Sequence, residues 1–177
     1  MNTEKLFANV VDVIQEGQLK LGYRPETIRL YYPLNSLNLF LGTQLDAQGM
    51  MDTLAAFAAQ YADKLGTVAV SRKGKRFCLA VPPEGAAYVD AQTDKHGFLA
   101  RFIGMIARHG TRIDDVIALF KAHSSCVRVD ALHNGEFDYL LRFEDGKPDA
   151  FYYCITDEGC HLTYHRFTRE DYEAFGF

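Results

Sequence analysis

The sequence predicts an α+β fold: a helical N-terminal two-thirds with one small β-hairpin, then a four-stranded antiparallel meander and a short C-terminal helix. Apolar residues recur at helical spacing along most of the chain up to about residue 123. Between residues 126 and 167 the pattern changes to an alternation of β-branched and aromatic residues. Helices and strands therefore occupy separate parts of the chain, which is the α+β arrangement.

Two long helices are predicted in the N-terminal part, with a short strand and a short apolar helix between them. The first helix carries Leu6, Val10 and Ile14 on one stripe, and Gly22 stops it. The second begins behind Asp46, because a carboxylate can cap a helix N-terminus. The expected bounds of these four elements are residues 3–21, 27–32, 34–41 and 47–65.

A β-hairpin and three further helices follow in the prediction. Residues alternate on both sides of Lys73-Gly74, and Pro82-Pro83 ends the second strand and opens a helix. Gly110 followed by Thr111 combines a helix stop with a new N-cap. The expected bounds are residues 67–71 and 76–81 for the strands and 84–92, 98–106 and 113–123 for the helices.

The four strands of the meander are expected at residues 126–132, 136–144, 150–156 and 160–167. A slip of one residue would exchange the buried and exposed faces of a strand, so the hydrophobic pattern selects a register. A three-residue first loop ending at Gly135 and a two-residue last loop put one apolar residue from each strand together on a buried face. These four residues are Val129, Tyr139, Ile155 and Leu162.

The last loop is predicted to contain only Glu158 and Gly159. A three-residue loop would turn His161 and His165 into the apolar face, and an unpaired buried imidazole is costly. The opposite face is then expected to be polar. Its predicted rows are Asp130, Asp138, Thr156 and His161; Arg128, Leu140, Cys154 and Thr163; and Cys126, Arg142, Tyr152 and His165.

This polar face carries the candidate site. In the expected register Asp130 lies directly across from Asp138, with His161 in the same row. Like charges in that position are unfavourable, so neighbouring cations or a shared proton should offset them. The ligand-binding residues are therefore predicted to be Asp130, Asp138 and His161, with a rim of Arg142, Tyr152 and His165.

Two functions remain open for this site. The first is a non-catalytic domain that binds a small molecule or a protein. The second is a small hydrolase or transferase in which Asp130, Asp138 and His161 act as acid, base and orienter. The chain has no P-loop, Rossmann glycine motif, GxSxG or HExxH, which favours binding and predicts no cofactor.

No metal site is predicted. On a strand, Cys160 and His161 would point to opposite faces, while His161 and His165 would lie about 13 Å apart at ~3.3 Å per residue. The four cysteines, at positions 78, 126, 154 and 160, lack CxxC spacing and are expected to be free thiols.

Composition indicates one globular domain over residues 1–177, with a possible sub-lobe boundary near residues 124–126. Hydrophobic residues make up 48% of the chain and charged residues 24%, which excludes a disordered protein. The net charge of −4 argues against nucleic acid as a partner. No targeting segment or apolar span is visible, so a cytoplasmic protein without membrane contact is expected.

A second group of polar and aromatic residues lies near the first strand. Tyr23, Arg24, Arg29, Tyr31 and Tyr32 together could bind an anionic or planar ligand. The alternative is a capped strand whose tyrosines belong to the core.

Three segments resemble an uncharacterised bacterial family. They are ETIRLYYPLNSLN at residues 26–38, RFCLAVPPEG at 76–85 and GCHLTYHRFTREDY at 159–172. They are similar to the domain of unknown function 3877 family, found mainly in gut Firmicutes. The likeness extends along nearly the whole chain, which implies one domain, and it implies no activity.

Overall fold

The computed structural model describes residues 2–132 and 134–176, so His133 of the first predicted meander loop lies outside the described residues. It confirms the α+β class. The chain divides into two compact units, residues 1–95 and 96–177. This division precedes the helix at Phe98 and does not fall near residues 124–126. The single-domain organisation stays a prediction.

The first unit combines helices with a three-stranded antiparallel sheet. The predicted hairpin is extended by the first strand, which pairs with the second hairpin strand, so the second hairpin strand lies in the middle of the sheet. The elements are α1 (Thr3–Leu21), β1 (Ile28–Pro33), α2 (Leu34–Leu41), α3 (Ala47–Gln60), α4 (Ala62–Leu65), β2 (Ala69–Lys73), β3 (Arg76–Val81) and α5 (Pro83–Gln92).

Local hydrogen bonds explain where the long helices begin. The Asn2 side chain accepts the Lys5 N–H at 3.1 Å, and the Asp46 carboxylate accepts the Gly49 N–H at 2.8 Å. Each bond satisfies a backbone donor that the helix itself leaves without a partner. The cap predicted at Asp46 is confirmed.

The stripe predicted on α1 lies in the core of the first unit. Leu6, Val10 and Ile14 are at most 2% exposed and belong to the same cluster as Leu79 of β3. The packing is close enough to require a glycine in α5, because a Cβ on Gly85 would collide with the carbonyl oxygen of Leu65.

The second unit contains the meander and three helices within its described residues. Its strands lie in sequence order in one antiparallel sheet, as predicted. The elements are α6 (Phe98–Ile106), α7 (Ile113–His123), β4 (Val127–Ala131), β5 (Tyr139–Phe143), β6 (Tyr152–Asp157), β7 (Leu162–Phe167) and α8 (Arg169–Phe175).

One face of this sheet, called the inner face, packs on α6 and α7 through aromatic rings. It carries Val129, Tyr139, Ile155 and Leu162, as the alternation predicts, although Val129 and Tyr139 are half-buried and not fully buried. The ring of Phe102 lies 4.9 Å from that of Tyr153 and 4.8 Å from that of Tyr164, measured between centroids. Phe120 stacks on Phe143 at 4.8 Å. Edge-to-face and stacked geometries of this kind add to the free energy of apolar burial.

The predicted register is correct for the central pair of strands and wrong for both outer pairs. Tyr139 lies opposite Ile155, as expected. Val129, however, lies opposite Leu141 and not Tyr139. Tyr164 lies opposite Ile155, where Leu162 was expected. Both slips are of two residues, so each side chain keeps its face while its neighbours change.

The loops explain these slips. The Asn134 side chain accepts the N–H groups of Glu136 and Phe137 at 3.0 and 2.9 Å, which keeps both residues out of the ladder. At the last turn the Glu158 N–H donates to the His161 carbonyl at 3.1 Å. The loop is therefore residues 158–161 and not the predicted pair of residues.

The opposite face of the sheet, called the outer face, is not the open polar surface that was predicted. Leu140 and Cys154, which alternate onto this face, are 3% and 0% exposed. They form a small buried cluster with Phe137, against which Tyr172 of α8 packs. Both faces of the sheet therefore carry apolar residues, and polar side chains occupy only part of the outer one.

Candidate functional site

The two aspartates of the predicted site do not face each other. Asp130 lies opposite Leu140 in the β4–β5 pair. Its carboxylate accepts the Arg128 Nε–H at 3.0 and 3.1 Å. The Asp138 carboxylate accepts the backbone N–H of Asp157 at 2.8 Å, at the end of β6. Each carboxylate thus has its own partner, and the predicted direct pair was wrong.

His161 lies in the last loop and not on a strand. Its Nε2 is 2.8 Å from Glu158 Oε2, and its Nδ1 is 3.4 Å from the Cys160 sulfur. The expectation that Cys160 and His161 point apart was wrong, because the loop extends through residue 161 and the last strand begins only at Leu162. Among the described residues, no group of three or more His, Cys, Asp or Glu side chains is arranged to hold a metal ion.

His165 contacts aromatic rings. It lies opposite Cys154 in the β6–β7 pair. Its ring centroid is 5.8 Å from that of Phe137 and 6.0 Å from that of Phe167, the latter nearly parallel. These contacts make the imidazole part of the packing on the outer face.

The structure does bring Arg142 and Tyr152 together. The Arg142 guanidinium lies over the Tyr152 ring, 5.0 Å from its centroid. Arg142 is half-buried and forms no ion pair with any residue that the structure describes. Directly across the strand pair lies a second cation, Arg128. Like charges in this position destabilise a sheet unless other groups offset them.

Among the described residues, Arg128 has carboxylate groups that offset its charge, and Arg142 has none. Besides its bond to Asp130, Arg128 is 3.8 Å from a Glu144 carboxylate oxygen. The hydrogen bond and charge of Asp130 raise the pKa of Arg128 above its ordinary value. The Tyr152 ring gives Arg142 a weaker partner, because a ring quadrupole carries no net charge.

A groove of about 350 Å³ opens beside Arg142. Its walls come from β5, the start of β6, the loop between them and the first residue of α8. The lining residues are Arg142, Phe143, Glu144, Gly146, Ala150, Tyr152 and Arg169.

Arg169 was missing from the predicted site. The Thr168 hydroxyl accepts the Asp171 N–H at 3.1 Å and thereby caps α8, which places Arg169 as the first helical residue at the groove. Its guanidinium also contacts Glu173 at 2.8 Å, one turn further along the helix. The sequence Thr168-Arg-Glu-Asp171 carries a capping signal, but only the packing of α8 shows that Arg169 reaches the groove.

Family comparison agrees with the resemblance found in the sequence. A family model described as a domain of unknown function, E. rectale gene description (DUF3877), matches residues 3–176. The chain belongs to this family. No curated protein and no solved structure matches it. In the part of the chain that the structure describes, no helix has the length and apolarity needed to cross a membrane.

Proposed function

We propose that the second unit is a non-catalytic binding domain for a small organic anion, with Arg142 at the centre of its site. The observation that carries the proposal is the environment of the Arg142 guanidinium. Its guanidinium is half-buried beside a groove, lies over the Tyr152 ring, and has no carboxylate partner among the described residues. An arginine that contacts an aromatic ring through its face can keep N–H donors free for a carboxylate or phosphate.

The opposed Arg128 strengthens this proposal. Of these two cations across a strand pair, Arg128 has the carboxylate partners in the described part of the chain, and a bound anion would supply Arg142 with the negative charge that it lacks there. Arg169 supplies a second cation on the groove wall, while Glu144 supplies one negative charge. The groove volume lies at the lower end of the range for small-molecule sites, roughly 300 to 1,000 Å³. We therefore favour a small molecule over a protein as the ligand.

The hydrolase or transferase alternative receives less support. It requires Asp130, Asp138 and His161 to act together on one substrate. Each instead contacts a different group. Asp130 pairs with Arg128, Asp138 accepts the Asp157 N–H, and His161 contacts Glu158. We infer that Asp130 acts on the site indirectly, by offsetting the charge of Arg128.

Binding is tested by calorimetric titration of the full chain with inorganic phosphate and with citrate. Arg142→Gln should weaken binding at least about tenfold, because a hydrogen bond to a charged group contributes about 1.5–3 kcal/mol. Tyr152→Leu should also weaken it, whereas Tyr152→Phe, which keeps the ring, should bind like the wild type.

Arg101→Gln is the matched control, since Arg101 is exposed on α6 and is not part of the groove. If neither anion binds, or if Arg142→Gln and Arg101→Gln bind equally well, the proposal is wrong.

A further inference from the structure

A second pocket lies in the first unit, where the end of α1 meets the start of β1. It has a volume of about 300 Å³. The residues that matter for its chemistry are Gly17, Gln18, Arg24, Glu26, Ile28 and Arg29. This pocket belongs to the first unit and the groove at Arg142 to the second, so a ligand can occupy the pocket whether or not the groove binds an anion.

Gln18 provides an unusual feature in this pocket. It is only 9% exposed, although it is polar. Its Nε2 donates to the carbonyl oxygen of Ala86 at 2.8 Å, which fixes the orientation of the amide. The Oε1 atom is buried and accepts no hydrogen bond from the residues that the structure describes. A buried acceptor without a donor is costly, so this position favours a ligand that brings an N–H group.

The charged side chains of the pocket can also contact a ligand. Arg24, Glu26 and Arg29 are exposed, and none forms an ion pair with another residue in the described part of the chain. Charges of both signs thus line one pocket without neutralising each other. The predicted group of tyrosines and arginines is divided: the arginines line the pocket, while Tyr32 is buried and donates to the Asn9 side chain at 2.9 Å.

Gly17 keeps the pocket open. Glycine is unfavourable within a helix, and Gly17 lies near the end of α1 where an alanine would form a better helix. Apart from its neighbours in α1, a Cβ on Gly17 would meet no atom of the described residues within 4 Å. Packing therefore does not explain this glycine, whereas an open pocket wall does.

We propose that this pocket binds a small zwitterion of the amino-acid class. The ligand carboxylate lies between Arg24 and Arg29, and its ammonium group donates to Gln18 Oε1 and to the Glu26 carboxylate. Leu21 and Ile28 supply apolar wall for a side chain. The two arginines alone would accept any anion, but the buried acceptor and the glutamate add a requirement for a cationic donor.

The test is an NMR titration of the ¹⁵N-labelled full chain with each protein amino acid singly, at about 10 mM, well above a dissociation constant of ~1 mM. At least one amino acid should shift the resonances of residues 17–29 in a saturable manner. Its N-acetyl derivative, which lacks the ammonium group, and its amide, which lacks the carboxylate, should each bind at least about tenfold more weakly.

Five variants complete the experiment. Arg24→Gln and Arg29→Gln should each reduce affinity about tenfold or more, and both are surface changes that preserve folding. Gly17→Leu should abolish binding by filling the pocket. Arg76→Gln, an exposed arginine outside the pocket, should bind like the wild type, and so should Arg142→Gln, which separates this site from the groove.

The proposal is overturned if no amino acid binds, or if the N-acetyl derivative binds as tightly as its parent. Inorganic phosphate that binds more tightly than any amino acid, and whose binding Arg24→Gln abolishes, would also overturn it, because the pocket would then be a simple anion site. Unchanged affinity in both arginine variants would have the same consequence.

Discussion

Arg128 lies directly opposite Arg142 in the β4–β5 pair, and of the two only Arg128 has carboxylate partners in the described part of the chain. The sequence alternation had suggested a like-charge pair of aspartates on this face. The structure contains a like-charge pair of arginines in its place. This exchange turns the candidate site from an acid–base pair into a cationic surface.

The first prediction concerns the charge balance around these arginines. Asp130→Asn should destabilise the protein, because it removes the carboxylate that offsets the repulsion between Arg128 and Arg142. The loss of unfolding free energy should be smaller in an Arg142→Gln background, where that repulsion is absent. Urea denaturation of the wild type, both single variants and the double variant measures this coupling. Strictly additive effects would show that Asp130 does not offset the charge of Arg142.

The second prediction concerns Asp138. Asp138→Ala should lower the unfolding free energy by about 1 kcal/mol, because the Asp157 N–H loses its acceptor at the end of β6. Asp138→Asn is the matched control and should cost less than half as much, since its amide oxygen can still accept the bond. Thermal and urea unfolding give both values. A more stable Asp138→Asn variant would instead support the aspartate pair predicted from the sequence alternation.

The third prediction is a pH dependence at Asp149. Burial raises the pKa of this carboxyl above its ordinary value, although hydrogen bonds from the Tyr153 hydroxyl at 2.6 Å and from the Phe151 N–H oppose the shift. The folded state therefore binds the proton more tightly than the unfolded state does. The contribution of Asp149 to stability is greatest below the unfolded pKa of about 3.9 and decreases as the pH rises through the higher folded value.

Asp149→Asn keeps an acceptor for Tyr153 and cannot ionise. The unfolding free energy of this variant relative to the wild type should therefore increase as the pH rises from below about 4, and should then level off above the folded pKa. Urea denaturation at a series of pH values measures the difference. A difference that stays constant with pH would contradict the raised pKa.

The fourth prediction concerns thiol reactivity. Cys126 and Cys160 are exposed, and Cys78 and Cys154 are buried. Burial raises the pKa of Cys154 to about 12, so iodoacetamide should not label it in the native protein. Cys160 should react several-fold faster than Cys126, because His161 Nδ1 lies 3.4 Å from its sulfur and can accept the thiol proton.

His161→Gln should slow the alkylation of Cys160 to about the rate of Cys126. The alkylation rate of Cys126 itself should not change. Peptide mass spectrometry of samples quenched over time, near the ordinary thiol pKa of about 8.5, follows each cysteine separately. Equal rates for Cys126 and Cys160 in the wild type would show that the imidazole does not assist. Rapid labelling of Cys154 would show that the outer-face cluster opens readily.

The sequence by itself determined the type and order of the elements and the faces of the meander strands. These features depend on periodicities of 3.6 and 2 residues, which are local properties of the chain. Val129 and Ile155 therefore lie on the inner face even though two registers slipped. A slip of two residues leaves the alternation unchanged, so the pattern could not detect it.

Only the tertiary structure decided which outer-face residues are neighbours. Asn134 and the residues of the last loop use side-chain and backbone hydrogen bonds to hold several residues out of the ladder. Hydrophobic alternation carries no information about such bonds. The groove likewise depends on α8, which brings Arg169 beside Arg142 from 27 positions further along the chain. Long-range packing of this kind arises from the shape of the folded unit, and no local spacing in the sequence predicts it.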